Sequence, residues 1–182
     1  MLNNFGITQG RLVPSEKKNR IQYFPIKNWK KEISLMSKNK IRKLEWTINY
    51  EKIKQNPLFN KDQLNEILYL KKKFNIEIPS VTCDFFMEKP FFKKNNKFTL
   101  DFLKRIIENG TKIGIKYYVL PLVDNSSIKN KKQEKMIINK MKKFKNYLNY
   151  NQKILFEIDY KPTKVKEFIS KFDKKFGINY DS

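Results

Sequence analysis

The stretch Ile154-Leu155-Phe156-Glu157-Ile158-Asp159 decides how the rest of the chain is read. A short run of β-branched and apolar residues spells a strand buried on both faces. Alternation sends Ile154, Phe156 and Ile158 to one side and Leu155, Glu157 and Asp159 to the other. An acid inside such a strand is costly to bury unless a cation or a metal partners it. Glu157 is therefore either paired with one of the many lysines, capping a neighbouring loop, or placed to grip a bound cation, and spacing leaves all three open. A second stretch of similar character, Gly177-Ile178-Asn179-Tyr180-Asp181-Ser182, also ends on an acid.

Outward from these two, strand and helix signals alternate. Strands are expected at 5–8, 43–48, 78–84 and 116–122, before the two just quoted. Asn28 is placed to cap a helix with Trp29, Ile33 and Met36 on one face, and Asp62 to cap one with Leu64, Ile67, Leu68 and Phe74. Thr99 is placed to cap a helix carrying Leu103, Ile106 and Ile107, with Gly114 as its stop. A lysine-rich helix is expected over about 131–150, and Pro162 opens a last one at its first turn. The stretch from Phe85 to Phe98 reads as a long aromatic and basic loop, either a lid over a site or a cover on the rim.

Six strands alternating with five helices imply parallel strands and an α/β fold, either an open doubly wound sheet or a closed (β/α)8 barrel. No glycine-rich phosphate turn follows the first strand, which disfavours the dinucleotide-binding type of open sheet. Polar residues recur at strand C-terminal ends (Arg11, Glu45, Asp84, Asn125, Glu157 and Asp181), and this suits a TIM barrel, whose chemistry collects there. Eight βα units need about 200 residues or more. The 182 residues supply six strands, so the expectation is a single barrel-type domain over 1–182, C-terminally incomplete.

Composition narrows the function classes. The single cysteine, Cys83, rules out an internal disulfide, and alternation puts it on the apolar side with Val81. No run approaches the roughly 18 apolar residues of a membrane span, and the N-terminus lacks a signal-peptide pattern, so a cytoplasmic protein is expected. The net charge of +22 suggests nucleic acid as a partner. Yet four of the 40 basic residues are arginine, which leaves 36 lysines, and alanine is absent. That bias fits A- and T-rich codons, and the lysines spread over every helix instead of forming one stripe. This argues against nucleic acid.

The ordered set Phe5-Gly6-Ile7-Thr8-Gln9-Gly10-Arg11-Leu12, Leu44-Glu45-Trp46, Ile78-Pro79-Ser80-Val81, Tyr118-Val119-Leu120-Pro121, Phe156-Glu157 and Asn179-Tyr180-Asp181 resembles the sugar phosphate isomerase/epimerase family. This is the xylose-isomerase-like TIM-barrel group, which also contains apurinic endonucleases. The resemblance spans the whole chain. It implies a divalent metal (Mn, Mg, Co or Zn) held by Glu157 and Asp181, with a His and a second Glu on two further strands. It also makes Glu157 one of two acid/base glutamates that move a proton beside a sugar carbonyl.

This chain has no histidine, so the other half of that site is expected beyond Ser182 and the isolated chain is expected to be inactive or incomplete. Arg11, Glu45, Asp84 and Asn125 are the candidate substrate-binding residues for a small-molecule sugar or sugar phosphate. Each has an ordinary alternative, a surface ion pair for Arg11 and a lysine partner for Glu45. First and sixth strands left as open edges would invite self-association. The competing readings are a nucleic-acid-binding, apurinic-endonuclease-like protein and a non-catalytic remnant.

Overall fold

The structure is a computed structural model that describes residues 5–14, 22–93 and 97–180. Strands β1 (Gly6–Thr8), β2 (Lys43–Thr47), β3 (Glu77–Thr82), β4 (Tyr117–Leu122), β5 (Lys153–Ile158) and β6 (Phe176–Ile178) form one sheet. They lie side by side in chain order and every neighbouring pair is parallel. Helices α1 (Trp29–Lys38), α2 (Lys61–Phe74), α3 (Phe85–Glu88), α4 (Lys97–Ile113), α5 (Lys131–Phe144) and α6 (Pro162–Ile169) run between them. Among the described residues β1 and β6 each pair on one side only. The architecture is that of a TIM barrel, and the barrel is incomplete.

The two faces of the sheet differ because strand residues alternate. One face carries Leu44, Trp46, Ile78, Val81, Tyr118, Leu120, Ile154 and Phe156, all buried. Against it pack Ile33 and Met36 of α1, Ile67 of α2, Leu103 and Ile106 of α4, Ile137 and Met141 of α5 and Phe168 of α6. Each fully buried side chain of this size contributes about 1.5–3 kcal/mol. This layer is the core. Tyr118 shows how close the packing is. Its hydroxyl donates to the Ile107 carbonyl at 3.1 Å and accepts from Gln152 Nε2 at 3.1 Å. Gly110 lets α4 pass over it, since a Cβ there would stand 2.9 Å from that hydroxyl oxygen.

The other face carries Glu45, Ser80, Leu155 and Glu157, all half-buried. The expectation that β5 is buried on both faces therefore holds for one face only, because an open sheet leaves the inner one partly uncovered.

Local boundaries also differ from expectation. Asn60, not Asp62, caps α2, accepting the Gln63 N–H at 3.1 Å, with Asp62 in the first turn. Asn28 precedes α1 but makes no side-chain cap bond. α4 begins at Lys97, so Thr99 lies inside its first turn and is buried. Gly114 stops α4 as expected, with φ of 87°. The lysine-rich helix ends at Phe144 and passes into a 3₁₀ turn. Of the loop expected over 85–98, residues 94–96 lie outside the described residues. The described part contains α3, and Phe85, Phe86, Phe91 and Phe92 are all fully buried and edge-packed on one another, with Phe85 tilted against Phe102 of α4, so these rings are core and not a mobile cover.

Candidate functional site

The inner face ends in a concavity. Thr8 of β1, Glu45 of β2, Thr82 of β3, Pro121 of β4 and Glu157 of β5 line a cavity of about 600 Å³, joined by Asn179 just past β6. These are the C-terminal ends of parallel strands, where barrel chemistry collects, and the volume suits a small-molecule ligand. Loop residues Arg11, Gln22, Asn49, Asp84, Glu88 and Asp124 complete the lining. Glu157 and Asn179 also border a second, more apolar cavity of about 520 Å³ beside α6, with Tyr160, Val165 and Ile178.

Several side chains in this mouth are held by neighbours. Glu45 accepts a hydrogen bond from the Ser80 hydroxyl at 2.9 Å, which fixes one oxygen and leaves the other directed by its half-buried setting. Asn49 donates to Asp84 at 3.3 Å while its own oxygen takes the Phe24 N–H at 2.7 Å. Gln9 is fully buried, and its oxygen accepts the Thr47 N–H at 3.1 Å. Cys83 lies behind this wall, fully buried as expected. Burial first, and then the charges of Asp84 and Glu45, push its thiol well above the ordinary range, so it is an inert packing residue.

The loop bearing Arg11 is anchored by a carboxylate that the sequence reading passed over. Glu32 of α1 has no exposed surface. It accepts the Gly10 N–H at 2.8 Å and the Leu12 N–H at 3.1 Å. Burial raises its pKa, and the backbone N–H groups of Gly10, Leu12 and Arg11 pull the other way without cancelling the rise. Gly10 has φ of 92°, and a Cβ there would meet the Tyr23 carbonyl oxygen at 2.7 Å, so the turn requires glycine. The signal was present: Glu32 falls on the Trp29–Ile33–Met36 face of α1, where an apolar residue is due.

Of the residues singled out from sequence, Arg11, Glu45, Asp84 and Glu157 line one cavity. Asn125 does not line it. Its amide donates to the Met87 carbonyl at 3.1 Å and its own carbonyl receives the Lys93 ammonium, tying the loop after β4 to α3. Asp181 lies outside the described residues. Missed from sequence were Gln22, Asn49, Glu88, Asp124 and Asn179. Asn49 and Asn179 could have been found, since Asn179 follows β6 directly and Asn49 stands two residues past β2. Among the described residues no three His, Cys, Asp or Glu side chains converge to hold a metal ion.

No protein-family model matches this sequence, and no curated protein does. Solved structures do match. A xylose isomerase domain protein from Planctomyces limnophilus aligns with a TM-score of 0.63 and 10% identity, covering 81% of this chain and 56% of its own. A xylose isomerase-like TIM barrel protein from Mycobacterium smegmatis, in complex with magnesium, gives 0.65 and 11%, covering 86% and 57%. The IOLI protein with a bound zinc atom gives 0.60 and 16%, covering 82% and 56%. The chain thus spans little more than half the length of these neighbours. Its fold is that of the xylose-isomerase-like TIM barrels, six strands of it in this chain.

Proposed function

We propose that this chain carries the first part of a sugar or sugar-phosphate isomerase/epimerase barrel, with Glu157 as its general base. The observation that carries the reading is the place of Glu157. It stands on the inner face of the fifth parallel strand, near the C-terminal end, in a cavity that also takes polar side chains from the ends of β1, β2 and β3 and from just past β6. Glu157 takes the proton from the hydroxyl-bearing carbon beside the substrate carbonyl; the C–H pair becomes a C=C bond as the carbonyl π pair moves onto its oxygen, giving an enediolate. Returning the proton to the former carbonyl carbon, with the hydroxyl proton passing to the former carbonyl oxygen, gives the isomer, and return of a proton from a second acid to the opposite side of the same carbon gives the epimer. Glu45, braced by Ser80, accepts a substrate hydroxyl, Asp84 and Asn49 hold another, and Arg11 faces the developing oxyanion.

A divalent cation, Mn, Mg, Co or Zn, belongs to the same proposal. Glu157 offers one hard oxygen donor of the right kind. The described residues do not complete a site for it, and the second donor, Asp181, lies outside them. The remaining donors belong to two further βα units, which the coverage of little more than half of each neighbour supports. The single domain is in this reading a cytoplasmic one, and no described helix is long and apolar enough to cross a membrane. Its one-sided edge strands favour self-association of the 182-residue chain, which light scattering checks: a monodisperse monomer at high salt removes that part.

The test of the function is solvent exchange. In D₂O with Mn²⁺, the full reading frame should incorporate deuterium beside the carbonyl of a ketose, read by proton NMR. Glu157→Gln should slow this about 10²–10⁴-fold, and the 182 residues alone should give none. Wild-type exchange by the variant, or exchange by the short chain, refutes the assignment. A nucleic-acid reading rests on the charge of +22 and on the endonuclease branch of the same barrel group, and predicts salt-sensitive DNA binding.

A further inference from the structure

The charge of the mouth is inverted relative to the molecule. The chain has 40 basic residues against 18 acidic ones. Among the described residues lining the larger cavity, Glu45, Asp84, Glu88, Asp124 and Glu157 are acids and Arg11 is the one base. Even with Asp84 and Glu157 set aside as partnered, acids outnumber bases three to one.

We infer that this mouth takes a neutral, unphosphorylated polyhydroxy carbonyl compound and discriminates against its phosphate esters. The inference rests on the reading of the mouth as a sugar site. Ionised carboxylates are pure acceptors, and every hydroxyl of a neutral sugar is a donor to them. A phosphate oxygen offers no donor and carries like charge. The other lining groups are amides and hydroxyls, which suit either.

The usual phosphate-holding devices are missing from the described wall. No residue from the first turn of α1, α2, α4, α5 or α6 lines the cavity, so no helix N-terminus of length faces it. Two lysines near Glu88 are engaged elsewhere: the Lys89 ammonium sits 4.7 Å from the Tyr50 ring centre, and that of Lys93 bonds the Asn125 carbonyl. No described lysine lines the cavity, and charges acting across solvent are screened within about 8 Å at physiological salt. The local acids therefore outweigh the global charge.

The test is saturation-transfer NMR on the 182-residue chain in 150 mM salt, with D-fructose and D-fructose 6-phosphate as probes and inorganic phosphate as competitor. The expected result is transfer to fructose, lost in Glu45→Gln, and weaker transfer to fructose 6-phosphate, abolished by excess inorganic phosphate. Glu88→Lys, a charge reversal in the cavity lining, should raise fructose 6-phosphate affinity relative to fructose about three- to tenfold, as expected for one reversed charge at partly screened range. Fructose 6-phosphate binding the wild type as well as fructose, with sensitivity to Glu45→Gln, overturns the inference and leaves the sugar-site reading standing. Binding of neither sugar overturns both.

Discussion

Phe156 and Glu157 are neighbours on β5, yet their surroundings have little in common. Phe156 has no exposed surface and meets the rings of Phe168, Phe172 and Phe176 at 5.5, 5.2 and 6.0 Å. Glu157 points the other way, half-buried, into the strand-end cavity. The same contrast recurs on β2, between buried Leu44 and half-buried Glu45. One face holds the fold together and the other is left to bind. A barrel half can therefore keep its shape while its inner face is unfinished, because the helix-covered layer does not depend on closure.

The sharpest break of this contrast is a pair of substitutions at adjacent positions. Phe156→Ala should cost about 3–5 kcal/mol, since it empties a ring-filled space that α6 and β6 cannot close. Glu157→Gln should change stability by less than about 1 kcal/mol, as expected of a half-solvated site. Urea unfolding of both variants decides it. Equal losses would mean that the inner face is as structural as the outer.

The anchoring of the Arg11 loop sharpens the same division, since Glu32 serves the mouth from inside the core layer. Glu32→Ala should cost about 1–3 kcal/mol by leaving backbone N–H groups of the turn without their acceptor. Gly10→Ala should cost about as much, because φ of 92° and the Tyr23 carbonyl both exclude a side chain. The pH dependence has a definite sign. Burial raises the Glu32 pKa in the folded chain above its ordinary 4.5. Its contribution is therefore full below about pH 4.5 and shrinks as pH rises through the folded-state value. Wild type should exceed Glu32→Gln in melting temperature by more at pH 4 than at pH 7. The opposite trend would mean that the loop's N–H groups win over burial.

Much of this was legible in the sequence for a physical reason. A strand has a side-chain period of two, so naming β5 was enough to place Phe156 and Glu157 on opposite faces. The parallel order followed from alternation, and the mouth from polar residues at strand ends. What failed depended on contacts between distant segments. Asn60 and Asp62 are both good cap acceptors, and only the loop before α2 chooses between them. The aromatic run Phe85–Phe92 reads equally as a lid or as a cover on the rim, and nothing local announces that its phenylalanines are buried, with Phe85 against Phe102 of α4. Glu32 stood out as an acid on an apolar face, but nothing local names the turn at Gly10–Leu12 as its partner. Asn125 looked like a mouth residue by position, yet the left-handed Asp124 before it, with φ of 50°, is the one lining the cavity.

The smallest effect tests the charge contrast between mouth and exterior. Lysines on α5 stand at helix-neighbour spacing, Lys131 with Lys135, Lys132 with Lys135 and Lys140 with Lys143, and α2 ends on Lys71, Lys72 and Lys73. Ion pairs such as Lys30–Glu66 and Lys171–Glu134 relieve only part of this repulsion, because the chain is short of acids and five of them line the cavity. Raising salt from about 10 to 150 mM shortens the screening length from roughly 30 to 8 Å. Repulsion spread over the exterior should then fall, and stability should rise by about 1 kcal/mol, or ~2–4 °C in melting temperature. Neutral-sugar binding in the mouth should be unchanged over the same range, since an uncharged ligand gains nothing from screening. A flat melting temperature would show that the lysines lie too far apart in solution to repel, and the exterior would then lose its claim to be electrostatically distinct from the mouth.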